Sequence, residues 1–521
     1  MSKLRFIKLL ILILISILAL TPMDSNIAEA KAKKAAPAKK ATAAKKTTVP
    51  AKASKAKASG KATAKSKASS KAKASKKSKT SKRSQKVVPK RVERLTPESD
   101  YLISFSDTLA DGVVYNKFLV GQGVNKVAAH IIETDISDPE NQIAVMKAKN
   151  QVCELEKLQD ISFKFDSLYL DKHLMAAVNA NFWRAGSNAP IGPVICNGEV
   201  IELNSYKNWS TAMFDARNKM YIDRFSITGT INSRKGLSLT IDAVNRRSDT
   251  NQIILYNQYG GDSIPYVSPK KLEFAMEAAM IGLEDRDITD IDVDTAEIRH
   301  QVQMQRRMET IEYAMPKLVL RYLTPPGINK NIRCVVQNID SFTVRTSPKT
   351  CILSLGRNFP YYKMPRVGDT LMLKFTTNTF PGIIFQNAVC GTPRLVRNGV
   401  ANHEAEIEGS RSRRFIGGSL PRTAIGVNKE LTKVYLVVAE PSSGSRNVRG
   451  ADLNDMAQIM AMIGCHNAMN LDGGGSSILS INGLNQIRPE NPTGGRRISV
   501  GLGVVKKFKN KYHREAQRIS D

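Results

Sequence analysis

The most informative stretch of this chain is Ala468-Met469-Asn470-Leu471-Asp472-Gly473-Gly474-Gly475-Ser476-Ser477. Its first four residues predict a short buried strand, and residues 478–481 predict the strand that returns after the turn. Asn482-Gly483 then supplies a strong hairpin signal. No Gly-Lys-Ser/Thr follows the glycines, which excludes a nucleotide-binding phosphate loop. The stretch therefore predicts two strands joined by a glycine turn, with the Asp472 carboxylate at a strand end.

Three consecutive glycines allow the backbone of this turn to approach a ligand closely, because they carry no Cβ. Successive backbone N–H groups in such a turn are able to converge on one anionic oxygen, here beside the carboxylate of Asp472. These are the N–H groups of Gly474, Gly475 and Ser476. Two interpretations remain open. The turn either holds an anion next to a catalytic acid, or it is a tight structural turn.

Outward from the turn, residues 453–463 predict an amphipathic helix that Asp452 caps and Gly464 ends. Helices are also predicted at 270–282 and 295–314, the second as an exposed helix. Most other segments between 100 and 506, such as 127–134 and 142–146, show the alternation of strands separated by turn residues.

Asparagines and arginines follow several predicted strands. Asn179 and Asn181 stand next to Phe182-Trp183, a combination suited to sugar recognition, since amides bind hydroxyls and rings stack on a pyranose. The alternative is that the rings are core residues and the asparagines form turns. Arg394 and Arg422 start strand-like segments, where a guanidinium group is able to hold a phosphate with two hydrogen bonds.

These segments together resemble the phosphodiester glycosidase family. The motifs that carry the resemblance are VNANFW (178–183), VGDTLMLKF (367–375), GTPRLVRNG (391–399), RTAIGV (422–427) and NLDGGGSS (470–477). The sequence departs from the family pattern at Cys390 and at Glu440-Pro441. The resemblance covers residues 120–506 and implies an α+β domain with a mixed β-sheet and few helices.

The resemblance also implies hydrolysis of a sugar–phosphate bond at the anomeric carbon. A phosphomonoester leaves readily, so one carboxylate and several phosphate donors suffice for this reaction. We expect Asp472 to be the carboxylate and Arg394 and Arg422 to hold the phosphate. His466 and His403 are reserve acid–base candidates. No metal or other cofactor is indicated, although a divalent cation remains compatible. The expected substrate-binding residues are Asn179, Asn181, Asn470, Gly473, Gly474, Gly475 and Ser476.

The N-terminal part of the chain has a different composition. Residues 1–30 read as a signal peptide cleaved after Ala30, because three basic residues precede the apolar run 9–20. Residues 31–95 form a Lys/Ala/Ser-rich tail, which is predicted to be disordered. Within it, residues 31–91 hold 23 Lys or Arg and no acidic residue, whereas residues 92–521 carry a net charge of only +7. Residues 96–521 are predicted to be the glycosidase-like domain, with an insertion at about 270–330.

An exported protein of this kind is expected to be periplasmic or secreted and to have no membrane span after cleavage. Its tail is expected to bind an anionic polymer of the cell envelope, and its substrate to be a glycan or sugar phosphate, for example in exopolysaccharide. Two alternatives are open. The domain is a non-catalytic glycan- or polyanion-binding protein, or, if the signal is not cleaved, the tail binds nucleic acid.

The six cysteines show no metal-ligand spacing. Cys334 and Cys351 flank strand-like runs and are able to bridge locally. For Cys196, Cys390 and Cys465, which lie in apolar strand or helix-end contexts, the favoured interpretation is a buried free thiol.

Overall fold

The computed structural model describes residues 95–265, 295–488 and 495–508. The predicted signal peptide, the basic tail up to residue 94 and the predicted helix at 270–282 lie outside these residues. The described part is mostly β-structure, which agrees with the expected α+β class in its many strands and few helices. Its α-helices are α1 (Leu158–Leu168), α2 (Thr295–Tyr313), α3 (Arg413–Gly417) and α4 (Leu453–Met462).

A nine-stranded sheet forms the centre of the structure, and we call it the central sheet. Its neighbouring strands are antiparallel, apart from one short strand that pairs in parallel with its neighbour. In spatial order the strands are β1 (Tyr101–Ala110), β2 (Val113–Val120), β3 (Lys126–Asp135), β24 (Lys433–Ala439), β23 (Arg422–Val427), β26 (Asn467–Asn470), β21 (Arg394–Arg397) and β22 (Val400–Ala401), with β25 (Val448–Arg449) beside β3.

Two five-stranded sheets pack against one face of the central sheet. The second sheet has the order β28 (Leu484–Asn485), β27 (Leu479–Ile481), β5 (Lys172–Asn179), β29 (Val500–Lys507) and β4 (Asn141–Lys147). The third sheet has the order β7 (Glu199–Glu202), β6 (Val194–Cys196), β20 (Phe385–Gly391), β8 (Ser210–Asp215) and β9 (Met220–Asp223).

An eight-stranded fourth sheet packs against the remaining face of the third sheet. Its strands are β11 (Ser238–Ile241), β10 (Ile227–Ser233), β19 (Thr370–Thr377), β16 (Asn331–Asp340), β15 (Lys317–Tyr322), β18 (Thr350–Ser354), β13 (Ile254–Tyr256) and β12 (Ala243–Val244). A separate pair joins β14 (Ser263–Ile264) to β17 (Val344–Arg345). The parallel pairing of β12 with β13 and of β25 with β3 makes two of the sheets mixed.

The helices cover the outer faces of these sheets. Leu453 and Met456 of α4 pack with Val437 on the second face of the central sheet, and Leu158 and Ile161 of α1 pack on the outer face of the second sheet. The chain is therefore layered as helix, central sheet, second sheet, helix. No helix within the described ranges is long and apolar enough to cross a membrane.

Helix α4 confirms its sequence prediction. Asp452 accepts a hydrogen bond from the N–H of Asp455, and the Asp455 side chain accepts one from the N–H of Asp452, which forms a capping box. Gly464, beyond the end of the helix, has a φ of 91°. The helix predicted at 295–314 is confirmed as α2, but its end is anchored, because Glu312 is buried in an ion pair with Arg247 at 2.5 Å.

The glycine turn also forms as predicted. Strand β26 leads into a 3-10 turn at Gly474–Ser476, and β27 returns from it. Asn482 and Gly483 have φ values of 49° and 82°, the left-handed conformations that a type I′ hairpin requires. Local sequence signals therefore set this part of the fold.

All six cysteines are buried and free. Cys334 and Cys351 lie on β16 and β18, which flank β15, and the Cys351 thiol is hydrogen-bonded to Cys334 rather than joined to it by a disulfide. The residues of the predicted insertion at 270–330 include β15, which lies in the middle of the fourth sheet.

Candidate functional site

Strand ends of the central sheet bring Asp472, Arg422 and Glu440 to the same edge. Asn470 on β26 pairs with Ala424 on β23, and Arg422 at the start of β23 pairs with Ala439 at the end of β24. Asp472 and Glu440 therefore follow strands on either side of β23. At ~4.8 Å between neighbouring strands, their backbones lie about 10 Å apart. We call this edge the Asp472 edge.

The glycine turn and β5 hold Asp472 in place. The N–H of Asp472 donates to the carbonyl of Ala180 at 2.9 Å, and its carbonyl accepts from Asn179 Nδ2 at 2.6 Å. One carboxylate oxygen accepts from the N–H of Gly473 at 2.9 Å, and the residue is 5% exposed. The carboxylate is thus fixed and almost buried, as a positioned acid or base requires.

The glycine turn supplies fewer free donors than the sequence suggested. The N–H of Gly474 donates to the Pro421 carbonyl at 2.8 Å, and that of Ser476 donates to the Gly473 carbonyl at 3.1 Å. Gly475 is the one partly exposed residue of the turn. A Cβ on Gly473 would come within 3.3 Å of the Pro421 carbonyl oxygen. The turn packs tightly on the start of β23, and a side chain at 473 would require the neighbouring backbone to shift by a few tenths of an ångström.

Asn179 and Asn181, expected to bind sugar hydroxyls, bond mainly to the backbone. Asn179 Oδ1 accepts from the Thr423 hydroxyl at 2.8 Å and from the N–H of Ile478 at 3.2 Å. Asn181 donates to the Ile191 carbonyl at 3.1 Å and accepts from the N–H of Cys390 at 3.2 Å. The two amides tie strands and loops together beside the site.

Two buried polar atoms flank the turn without a hydrogen-bond partner in the described structure: Asn470 Oδ1 and Ser477 Oγ. The amide nitrogen of Asn470 donates to the Thr392 carbonyl at 2.7 Å. Buried oxygen atoms of this kind ordinarily have a partner, so a polar ligand or an ordered water at this place would satisfy them.

Arg422 lies at the Asp472 edge, with its side chain pointing into the protein. Its Nε donates to the Ala451 carbonyl at 3.1 Å, and its Nη2 donates to the carbonyls of Phe415 and Gly418 at 2.6 and 3.1 Å. The residue is 1% exposed, and burial lowers the pKa of its guanidinium to about 10, against the opposing effect of Asp452. Most of its donors are occupied by backbone carbonyls.

The structure does not bring Arg394 together with Asp472. Its Nη2 donates to Asn467 Oδ1 at 2.6 Å, at the first residue of β26, whereas Asp472 follows the end of that strand. At ~3.3 Å per residue, the backbone from Asn467 to Asp472 spans about 16 Å, so the guanidinium lies at the end of β26 that is far from Asp472. His466 immediately precedes β26 and lies at that distant end as well, and His403 is close to Arg394 in the chain.

Glu440, where the sequence departs from the family pattern, lies at the centre of a group of charged side chains. It accepts from His130 Nε2 and from Lys117 Nζ, both at 2.8 Å, and forms an ion pair with Arg446. Although burial by itself raises the pKa of Glu440, its hydrogen bonds to His130 and Lys117 outweigh this and lower the pKa to about 2. The carboxylate is ionised at neutral pH.

His130 is neutral in this group, since burial lowers its pKa despite the hydrogen bond to Glu440. Its Nε2 then donates to Glu440, and its Nδ1 accepts from the Tyr115 hydroxyl at 2.8 Å. Lys117 and Arg446 are 29% and 49% exposed. They are partly exposed cations close to the Asp472 edge.

Aromatic rings extend from Arg422 to the surface. The guanidinium of Arg422 lies over the Phe415 ring at 5.4 Å, and Phe415 meets Phe182, which contacts Trp209 at 5.2 Å. Tyr206 packs on Trp209 at 4.9 Å, and both are half-buried, whereas Phe182 is buried. The accessible rings are therefore Tyr206 and Trp209, which lie in a loop without a recognisable motif.

Within residues 95–265, 295–488 and 495–508, no group of three or more His, Cys, Asp or Glu side chains is arranged to hold a metal ion.

Comparison with known proteins supports the resemblance stated from the motifs. Residues 354–505 match the model of the phosphodiester glycosidase family. The matched region contains four of the five motifs, including NLDGGGSS, and the edge residues Arg422, Glu440 and Asp472. The resemblance to this family is thereby confirmed for that part of the chain. No curated protein matches the sequence significantly.

Solved structures resemble this one at low sequence identity. A hypothetical protein from Synechocystis is 19% identical with a TM-score of 0.51, over 76% of this chain and 63% of that one, which shows a similar fold. This chain thus spans 63% of the length of that relative.

Two further matches have lower TM-scores. A putative exported protein from Burkholderia pseudomallei is 12% identical with a TM-score of 0.48, over 80% of this chain and 98% of that one. The catalytic domain of zebrafish N-acetylglucosamine-1-phosphodiester alpha-N-acetylglucosaminidase, auto-inhibited by its pro-peptide, is 13% identical with a TM-score of 0.37, over 79% of this chain and 88% of that one.

Proposed function

We propose that this chain is an exported hydrolase that cleaves the bond between a sugar's anomeric carbon and a phosphate, in a glycosyl phosphodiester of the cell envelope. The observation that carries the proposal is the position of Asp472. It is a nearly buried carboxylate fixed by a glycine turn at a sheet edge, inside the region that matches the phosphodiester glycosidase family.

In the proposed reaction, Asp472 accepts a proton from the attacking water or stabilises positive charge at the anomeric carbon. Ordinary glycosidases need a second, protonated carboxyl because an alkoxide leaves poorly. A phosphate is stable as an anion, so cations suffice to receive it. We assign this role to Lys117 and Arg446, which are ion-paired with Glu440 but partly exposed. Arg422 is buried, and Arg394 lies at the other end of β26.

The sugar would lie against the rings of Tyr206 and Trp209. Both rings are half-buried, and aromatic rings suit the C–H face of a pyranose. The Arg184 guanidinium and the Lys207 ammonium lie over the Tyr206 ring at 5.4 and 5.5 Å, so Trp209 is the ring that we assign to stacking. Asn179 and Asn181 contribute indirectly, because they fix the backbone around Asp472 and Phe182. In this proposal the partially satisfied Asn470 is the amide closest in sequence to Asp472 that is able to accept from a ligand.

The test is hydrolysis of a panel of sugar-1-phosphate methyl diesters by the full chain. Asp472→Asn keeps the side chain's volume and its hydrogen bond to Gly473, but removes its basicity, so we expect a ~10²–10⁴-fold loss of kcat/KM. Asp171→Asn, at an exposed position, is the matched control and should keep full activity. Activity of Asp472→Asn close to that of the wild type, with a native melting temperature, would refute the assignment.

The alternative is that the same fold binds glycans without catalysis. The occupied N–H groups of Gly474 and Ser476 and the inward-facing Arg422 favour it, because they reduce the donors available to a phosphate. Wild-type protein that binds a sugar phosphodiester and releases no phosphomonoester would support this alternative over hydrolysis.

A further inference from the structure

A second cleft, separate from the Asp472 edge, lies between β4 and α1 on one side and turns of the third sheet on the other. Its volume is about 520 Å³, which is in the range of small-molecule binding sites. None of its lining residues belongs to the Asp472 edge or to the ring group of Tyr206 and Trp209. We call it the β4 cleft.

The cleft exists because β4 is the outermost strand of the second sheet and pairs only with β29. Side chains, rather than another strand, bond to its outer backbone groups. The N–H of Ile143 donates to Asn218 Oδ1 at 3.0 Å, its carbonyl accepts from Asn387 Nδ2 at 3.4 Å, and the Val145 carbonyl accepts from the Cys196 thiol at 3.0 Å. The strand edge is thus occupied, and the space beside it remains open.

The lining is rich in amides and carries three rings. Amides are able to donate to and accept from the same hydroxyl group, and rings bind the apolar face of a sugar. Seven of the lining residues have amide side chains, and these are Gln142, Asn150, Asn197, Asn218, Gln258, Gln386 and Asn387. The rings are those of Phe165, Tyr169 and Tyr259.

Charge does not dominate the cleft. Lys164 forms an ion pair with Glu156, and the Lys147 ammonium donates to the carbonyls of Glu154 and Ser499 at 2.7 and 2.8 Å. Lys172 lies over the Tyr169 ring at 5.6 Å. With its cations engaged in this way, the cleft is poorly suited to a polyanion and well suited to a neutral molecule with many hydroxyl groups.

We infer that the β4 cleft binds a neutral oligosaccharide segment, at a site distinct from the one proposed for hydrolysis. Tyr169 is the central ring of this site. It is half-buried at the end of α1, its ring packs on Phe165 at 4.7 Å, and its hydroxyl accepts from Asn197 Nδ2 at 3.4 Å. A sugar that contacts the part of this ring left open by Phe165 and Lys172 would have the amides of Asn197 and Gln386 within the same cleft.

The experiment is calorimetric titration of the purified full chain with maltotetraose, cellotetraose and chitotetraose. We expect at least one of them to bind. Tyr169→Ala should then weaken binding at least tenfold, whereas Tyr169→Phe, the matched control that keeps the ring, should stay within about threefold. Asp472→Asn should bind as the wild type does, which separates this site from the Asp472 edge.

A second variant tests the same site in case Tyr169→Ala does not fold. Asn197 has a φ of 50°, which glycine adopts readily, so Asn197→Gly removes the amide and keeps the turn. It should also weaken binding severalfold at an unchanged melting temperature. A Kd of 10 mM corresponds to a binding free energy of ~2.7 kcal/mol, the weak end of specific affinity. The inference is overturned if none of the three oligosaccharides binds at 10 mM, if Tyr169→Ala and Asn197→Gly both bind normally, or if Asp472→Asn abolishes binding.

Discussion

Arg422 offers a direct test of whether this arginine stabilises the fold or binds substrate. We consider Arg422→Met, which keeps much of the side chain's length and removes the guanidinium. The substitution removes the side-chain donor of the Ala451, Phe415 and Gly418 carbonyls. Ala451 keeps a second donor, the N–H of Leu420 at 3.1 Å, whereas the other two carbonyls lose the donor that Arg422 supplies. These carbonyls connect the α3 segment to the residue that precedes the cap of α4, so the loss affects the whole loop region beside the Asp472 edge.

The magnitude follows from two opposing contributions. A buried acceptor left without a partner costs about 1–3 kcal/mol, so the carbonyls of Phe415 and Gly418 together cost about 4 kcal/mol at the middle of this range. Removing the guanidinium also removes the cost of burying its charge, which offsets part of this loss. Burial lowers the pKa of Arg422 from 12.5 to about 10, which corresponds to about 3 kcal/mol. The net expectation is a loss of about 1 kcal/mol in the free energy of unfolding.

The assay is thermal unfolding of the full chain, followed by circular dichroism. For a large domain, 1 kcal/mol shifts Tm by ~2–4 °C, so we expect a decrease of about 2–4 °C. Arg413→Met is the matched control, because Arg413 is exposed on the neighbouring α3, and its effect should stay within ~0.5 kcal/mol. A Tm of Arg422→Met that does not fall below that of Arg413→Met would refute the reasoning, and an accompanying rise in KM would support Arg422 as a phosphate ligand.

Three further predictions concern charge. The pKa of Glu440 is about 2, so its carboxylate stabilises the fold above pH 4.5 and this contribution is lost as the pH falls towards 2. In urea unfolding, Glu440→Gln should therefore be less stable than the wild type at pH 7, and the difference should be much smaller at pH 3. Burial raises the pKa of Glu199 to about 7, so the folded state favours the protonated acid and stability is lost as the pH rises through 7. Relative to the wild type, Glu199→Gln should therefore gain up to about 3 kcal/mol in the free energy of unfolding at pH 8 and almost nothing at pH 4, and an equal gain at both pH values would contradict this. Residues 31–91 should retain the protein on an anionic envelope polymer in a salt-sensitive manner, and equal retention of 31–521 and 92–521 at low salt would disprove this.

Local sequence determined the elements whose structure depends on neighbouring residues. The cap at Asp452, the stop at Gly464 and the Asn482-Gly483 hairpin are all recognisable in the sequence, because each is set by the φ preference or hydrogen bonding of residues a few positions apart. The placement of Asp472 at a strand end was predictable for the same reason. The family resemblance then supplied the type of chemistry.

The tertiary structure alone decided which side chains share a site. Arg394 and Arg422 look equivalent in sequence. In the structure the Arg394 guanidinium binds at the end of β26 that is far from Asp472, whereas the Arg422 guanidinium points inward and donates to backbone carbonyls. Glu440 and His130 meet although 310 residues separate them in the chain. Such contacts depend on the register of strands β3, β24 and β23 and on which face each side chain occupies. These are set by packing over long sequence distances, and no local pattern encodes them.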